Sequence, residues 1–190
     1  MENKKVRDFE RKVVKQVWKM FPTIKINNPT DLHFIHDKNA DMNIVLLHKV
    51  LSNNEANEYR ADIYGMDKKG KLEKLFKSSV EFSVKDKILT ISYIMTRANQ
   101  LNKGLATELL ITVEDFASEN GIKEIKLHTH NYGDNGKLTD FYSKRGYTMS
   151  GLDGSKLSKD FQKLDVLQLA GLNFNVNNPY IDSKEKTMEN

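Results

Sequence analysis

Cysteine is absent from the 190-residue chain, which excludes a disulfide framework, a thiolate nucleophile and any cysteine-ligated metal. Long apolar runs are missing too. The opening Met1-Glu2-Asn3-Lys4-Lys5 leads into an amphipathic segment without an uncharged apolar core, and no later stretch approaches membrane-spanning length. The expectation is a cytoplasmic protein with no membrane partner. Charge of one sign is scarce: 30 basic and 26 acidic residues leave an excess of +4, with the basic residues scattered among acidic ones. A pI near 9.0 is then slender ground for a nucleic-acid partner, and none is expected. No internal repeat or low-complexity tract interrupts the chain, and no Ser, His, Asp set with a nucleophile elbow points to hydrolase chemistry. The length suits one domain over residues 1–176, followed by a polar, loose tail over 177–190.

What is present reads as helix, then sheet, then alternating elements. Val6, Phe9, Val13, Val17, Met20 and Phe21 recur every three to four residues and predict an N-terminal amphipathic helix over 4–21 that stops at Pro22, with Trp18 widening its apolar face. Packing on the domain and lying on a membrane surface are both open to such a helix; Asp8 and Glu10 in its polar face favour packing. Leu32 to His36 reads as a short helix or a short strand. From residue 44 the pattern is sheet-like: an apolar run over 44–51, alternation in Glu58 to Met66 and again in Leu75 to Val84, then the β-branched run Ile88 to Thr96. Short connections make these four strands an antiparallel meander.

The centre of the chain is the passage from that last strand through Gln100-Leu101-Asn102-Lys103-Gly104 into a helix carrying Leu105, Leu109, Val113, Phe116 and Ala117. A strand, a glycine loop and a helix start gather unpaired N–H groups and the positive end of a helix dipole, which makes an anion cradle. Asn120-Gly121 caps the helix, Ile122 to His130 follows as a strand, Gly136 to Arg145 as a second helix, Tyr147 to Ser150 as another strand, and Phe161 to Leu169 as a last one.

Lys103-Gly104-Leu105-Ala106-Thr107 and, some thirty residues on, Asn135 with Phe141-Tyr142-Ser143-Lys144-Arg145-Gly146-Tyr147 resemble the GNAT acyltransferase superfamily over about residues 88–150. The resemblance implies an α/β (mixed α+β) fold: a GNAT-like central mixed sheet, with the meander followed by β-α-β-α-β and the N-terminal helix as an addition. It implies an N-acetyltransferase whose co-substrate is acetyl-coenzyme A and whose acceptor is a primary amine, with no metal and a homodimer left open. On this resemblance, Asn102, Lys103, Gly104, Leu105, Ala106 and Thr107 cradle the pyrophosphate. Ile94, Met95 and Thr96 pair with the pantetheine arm where two strands splay, Asn135 hydrogen-bonds that arm, and Tyr142 protonates the departing sulfur.

The departures from the pattern are specific. Leu101 stands where the family has Arg or Gln, Asn102 where it usually has Gly, and Leu138 where it has Ala. The segment before the meander lacks the first strand and two helices that normally build the acceptor site. A GNAT-like binding or regulatory module that contacts a partner protein is therefore the alternative reading. Individual residues keep two readings as well. Tyr142 is a general acid or a core aromatic, Asn135 a cofactor contact or a turn residue. Glu81 is a base acting through water or a solvated carboxylate, and His128 and His130, without a carboxylate motif nearby, are not read as a metal site.

Overall fold

In the computed structural model the described residues are 2–22, 31–50, 56–128, 137–150 and 156–160. Helix α1 (Glu2–Met20) precedes strands β1 (Leu32–His36), β2 (Met42–Lys49), β3 (Asn57–Met66), β4 (Leu72–Lys85) and β5 (Ile88–Thr96). Then come α2 (Leu105–Glu119), β6 (Glu124–His128), α3 (Lys137–Ser143), β7 (Thr148–Ser150) and β8 (Lys156–Asp160). All the strands join one eight-stranded sheet in the order β1-β2-β3-β4-β5-β6-β8-β7. Strands β1 to β5 pair antiparallel with their neighbours, β5 and β6 pair parallel across α2, and β8 pairs antiparallel with both β6 and β7. The mixed sheet is the expected fold class.

Alternation along the strands feeds two apolar layers. On one face Val45, Leu47, Ala61, Ile63, Val80, Phe82, Leu89 and Ile91 meet Leu105, Leu109, Leu110, Val113 and Ala117 of α2. On the other, Ile44, Leu46, Tyr64, Met66 and Leu72 meet Val13 and Val17 of α1, so this helix packs on the sheet. Gln16 fastens α1 to the β3–β4 turn: its Nε2 donates to Gly70 O at 2.7 Å and its Oε1 accepts from Leu72 N–H at 3.2 Å. Helix α2 closes on a Schellman motif, with Gly121 at φ 61° and N–H bonds from Ile122 to Ala117 O and from Gly121 to Ser118 O.

Several expectations change. Trp18 is 52% exposed and does not extend the packed face of α1; Val13 and Val17 already fill the contact. The undecided 32–36 segment is a strand because its residues pair with Met42–Leu46 across the Asp37–Asp41 turn, adding a fifth strand to the meander. Strand β3 is buried on both faces from Ala61 to Met66, because a helix lies on each side of it, so its alternation marks two cores and not a dry and a wet side. Lys156–Asp160, which has no strand-like run of apolar residues, is β8 and sits between β6 and β7. The last strand expected over 161–169, the tail over 177–190, Thr129 and His130 lie outside the described residues.

Candidate functional site

The cradle takes its form from two left-handed residues. Asn102 has φ 64° and Gly104, which caps α2, has φ 83°; an L side chain at Gly104 would cost about 1–2 kcal/mol. Glu108 N–H donates to Gly104 O at 3.1 Å, closing the first turn, and leaves the N–H groups of Leu105, Ala106 and Thr107 without an intrahelical acceptor. A Cβ on Gly104 would meet no backbone, its nearest neighbour being Lys38 Cε at 3.6 Å. Lys38 also donates its backbone N–H to Lys103 O at 3.2 Å. The β1–β2 turn thus lays an exposed ammonium beside the helix start. Lys38 has no sequence signal for this role, because only the pairing of β1 with β2 brings residue 38 to residue 104.

Among the described residues, strands β5 and β6 pair from Ile88–Glu124 to Ile91–Leu127, and β5 runs on to Thr96 past the last of these pairs, which borders a gap in the described pairing. At that point a bulge shifts the β4–β5 register between Glu81–Tyr93 and Phe82–Ile91, leaving Ser92 unpaired; bulges bend the strand that carries them. Beyond it Ser78 Oγ donates to Met95 O at 2.9 Å and Arg97 N–H donates to Lys77 O at 3.0 Å. Residues 95 and 97 therefore face β4, and strand alternation turns the backbone groups of Ile94 and Thr96 toward the gap.

Tyr142 lies on α3, 6% exposed, edge-on to Phe141 at 5.0 Å and to Tyr147 at 5.7 Å. Burial pushes its phenol up to about 12, so the hydroxyl keeps its proton at neutral pH. Next to it Glu114 of α2 gathers Arg145 at 3.3 Å and Lys159 of β8 at 3.2 Å, with the Lys159 ammonium 5.6 Å from the centre of the Tyr147 ring. Burial and then the Glu114 charge push the Tyr147 phenol up as well. This carboxylate ties the α3–β7 turn and β8 to α2.

On the sheet face away from α2 a polar chain crosses four strands. His48 Nε2 lies 3.7 Å from Asp62 Oδ2, and Arg60 Nε donates to Asp62 Oδ1 at 2.9 Å. Arg60 Nη1 and the Tyr93 hydroxyl both donate to Glu81 Oε1, at 3.3 and 2.7 Å. Glu81 is therefore bound on two sides and is not a simply solvated carboxylate. Burial raises the Asp62 carboxyl, but hydrogen bonds from His48, Ser79 and Arg60 outweigh it and hold Asp62 below its ordinary value. Burial and the bond to Glu81 raise the Tyr93 phenol.

Of the residues singled out in the sequence, Asn102 to Thr107 come together in the cradle and Ile94 to Thr96 in the strand edge that borders the gap. Tyr142 stands on α3 in the main core. Asn135 lies outside the described residues. Leu101, at the position of the family's Arg or Gln, is 56% exposed. Among the described residues no group of His, Asp and Glu could hold a metal ion, and no helix is long and apolar enough to cross a membrane.

A mixed sheet that parts beside a glycine-capped helix start is the GNAT fold, and the comparisons agree. Residues 74–147 match the family model of the acetyltransferase (GNAT) family. Among solved structures, the GNAT domain of S. lividans PAT superposes with a TM-score of 0.55 at 12% identity, over 72% of this chain and 100% of that one. The PaiA N-acetyltransferase from Thermoplasma acidophilum in complex with coenzyme A gives 0.44 at 19% identity, over 55% of this chain and 61% of that one. The ribosomal-protein-S18-alanine N-acetyltransferase from Escherichia coli gives 0.41 at 13% identity, over 56% and 67%. The chain thus spans less than two thirds of the Thermoplasma protein. No curated protein matches the sequence. Residues 74–147 are thus similar to the acetyltransferase (GNAT) family, over less than half of the chain.

Proposed function

We propose that this protein transfers the acetyl group of acetyl-coenzyme A to a primary amine, on a small molecule or a peptide, by direct attack in a ternary complex. The observation that carries this reading is that, among the described residues, β5 continues past its last pair with β6 at Ile91 and leads through residues 97–103 into the Gly104-capped start of α2. The free N–H groups of Leu105 to Thr107, the left-handed Asn102 and Gly104, and the Lys38 and Lys103 charges suit a pyrophosphate. The turned-out backbone of Ile94 and Thr96 suits the amide-bearing arm. Bound there, acetyl-coenzyme A supplies a thioester: the amine nitrogen bonds to its carbonyl carbon, the carbon–sulfur bond breaks and the thiolate leaves. Tyr142 holds the proton that the sulfur takes: a phenol raised to about 12 is fully protonated at neutral pH, and the proton that the attacking nitrogen loses returns the resulting phenolate to its neutral form.

The test is incubation with acetyl-coenzyme A and a panel of amines and peptides, read as the mass gain of one acetyl group on an acceptor. A product on any member supports transfer; no product, with the cofactor bound, supports the second reading. That reading is a binding or regulatory module that contacts a partner protein, and the exposed Leu101 in place of a polar side chain favours it. A soluble, cytoplasmic protein fits either reading.

A further inference from the structure

Strand β4 begins at Leu72, but β5 pairs with it only from Ser78 to Lys85. The edge of residues 72–77 therefore loses its neighbour where β5 ends. The chain turns out at Arg97, whose N–H closes the corner on Lys77 O at 3.0 Å, and returns through the short 3-10 turn Ala98–Gln100. A pocket of about 310 Å³ occupies this corner, lined by residues 73–77 of β4 and by Arg97, Asn99 and Gln100. That volume lies at the small end of ligand-binding pockets.

The lining is cationic, with Lys74, Lys77 and Arg97 against Glu73 alone. Lys77 is 6% exposed, and its ion pair with Glu73 is stretched to 4.0 Å, the Glu73 side chain being 53% exposed. Both side chains fold over Gly65, where a Cβ would stand 2.4 Å from Lys77 Cε and 2.5 Å from Glu73 Cδ. Burying an ammonium is costly unless an anion compensates it closely, and one long contact to a half-exposed carboxylate compensates it poorly. The Arg97 guanidinium has no carboxylate within ion-pair distance among the described residues; it is fixed at 5.1 Å from the centre of the Phe76 ring. Gln100 Oε1 is buried without a hydrogen-bond partner. A half-rotation of that amide would present an N–H donor at the same place. Leu75, 61% exposed, and Phe76 give the pocket an apolar rim.

We propose that this corner is a second ligand site, separate from the cradle, for a small organic acid: a carboxylate or phosphate monoester on an apolar stem. The acid group sits between Lys77 and Arg97, and the stem lies against Leu75 and Phe76. The site does not depend on the transferase reading, since its groups belong to residues 73–77 of β4 and to the 97–100 turn and not to the gap beside β6.

The experiment titrates the full chain with phenyl phosphate, phenylacetate and inorganic phosphate, by calorimetry and by chemical-shift mapping. Each titration is run with and without saturating acetyl-coenzyme A, on wild type, Arg97→Gln and Gly104→Val. Phenyl phosphate or phenylacetate is expected to bind at sub-millimolar concentration, to perturb residues 73–77 and 97–100, and to lose about tenfold in affinity in Arg97→Gln. Which of the two binds tighter tells phosphate from carboxylate recognition. Binding in Gly104→Val and under saturating acetyl-coenzyme A is expected to be unchanged. The proposal is overturned if neither aromatic acid binds at millimolar concentration, if Arg97→Gln binds as well as wild type, or if acetyl-coenzyme A displaces the probe. Inorganic phosphate binding as tightly as phenyl phosphate overturns the apolar stem. Lys77→Met, which removes a buried charge, serves as the second variant and is expected to weaken the acid without unfolding the protein.

Discussion

Under α2 the sheet presents Val80, Phe82, Leu89 and Ile91 to Leu109 and Val113, all buried and all apolar. One residue along the same strands, on the opposite face, His48, Arg60, Asp62, Glu81 and Tyr93 form a hydrogen-bonded and ionic chain beside the apolar patch under α1. On the first face, Val80, Phe82, Leu89 and Ile91 cannot exchange a proton; the phenols of Tyr142 and Tyr147 join this core from α3 and the turn after it. The second carries titratable groups up to Tyr93, the residue after the bulge at which β5 leaves β6. The lesson is that the sheet under α2 stores stability, while titratable groups lie on the polar face and, as Tyr142, at the rim of the apolar core.

Substitutions can break that comparison, and the largest effect belongs on the dry face. Leu109→Ala should lower the unfolding free energy by about 3 kcal/mol, measured by denaturant titration, while the folded fraction keeps its affinity for acetyl-coenzyme A. Next, Tyr142→Phe should lower turnover about a hundredfold and leave cofactor affinity and the chemical midpoint nearly unchanged. Equal turnover would return Tyr142 to a purely packing role, which its place among Phe141 and Tyr147 also suits.

A smaller effect is expected across the sheet. Asp62→Ala should cost about 2 kcal/mol at neutral pH, since it takes the closer of two carboxylates from the partly buried Arg60 and the partner of His48. Because the folded Asp62 is held below its ordinary value, its contribution is present above the unfolded pKa and lost as pH falls through the folded one. Wild type should therefore lose more stability than Asp62→Ala between neutral pH and strong acid. The tyrosines work in the other direction. With Tyr142 raised to about 12, its contribution is complete below about pH 10 and is lost as pH rises toward the folded value, so Tyr142→Phe should flatten the alkaline decline. Glu81→Gln should change stability least, by under about 1 kcal/mol, because its side chain is 36% exposed.

The sequence made the β5–α2–β6 crossover legible because its signals are local. Asn120-Gly121 forms the helix cap expected of it, and a glycine between a strand and a helix marks the turn whose φ of 83° favours glycine. The proposed anion site needs only backbone groups, which a short motif specifies. What stayed hidden depends on distant pairing. Leu32 to His36 carries no decisive period, and only its register with β2 makes it a strand and delivers Lys38 to Gly104. The polar chain was equally hidden, since Arg60, Glu81 and Tyr93 are scattered along three strands until the register aligns them. Trp18 misled for a related reason: helical spacing measures which residues share a face, not how wide the partner surface is.

The central claim is that the Gly104 turn and the gap beside Ile94 and Thr96 form an acetyl-coenzyme A site. Calorimetric titration of wild type and Gly104→Val with acetyl-coenzyme A tests it directly. Wild type should bind with one ligand per chain, and Gly104→Val should bind about tenfold or more weakly, because a β-branched residue disfavours the left-handed turn and the free chain relaxes away from the cradle geometry that the ligand needs. No binding to wild type at millimolar ligand, or equal affinity in the two proteins, would contradict it.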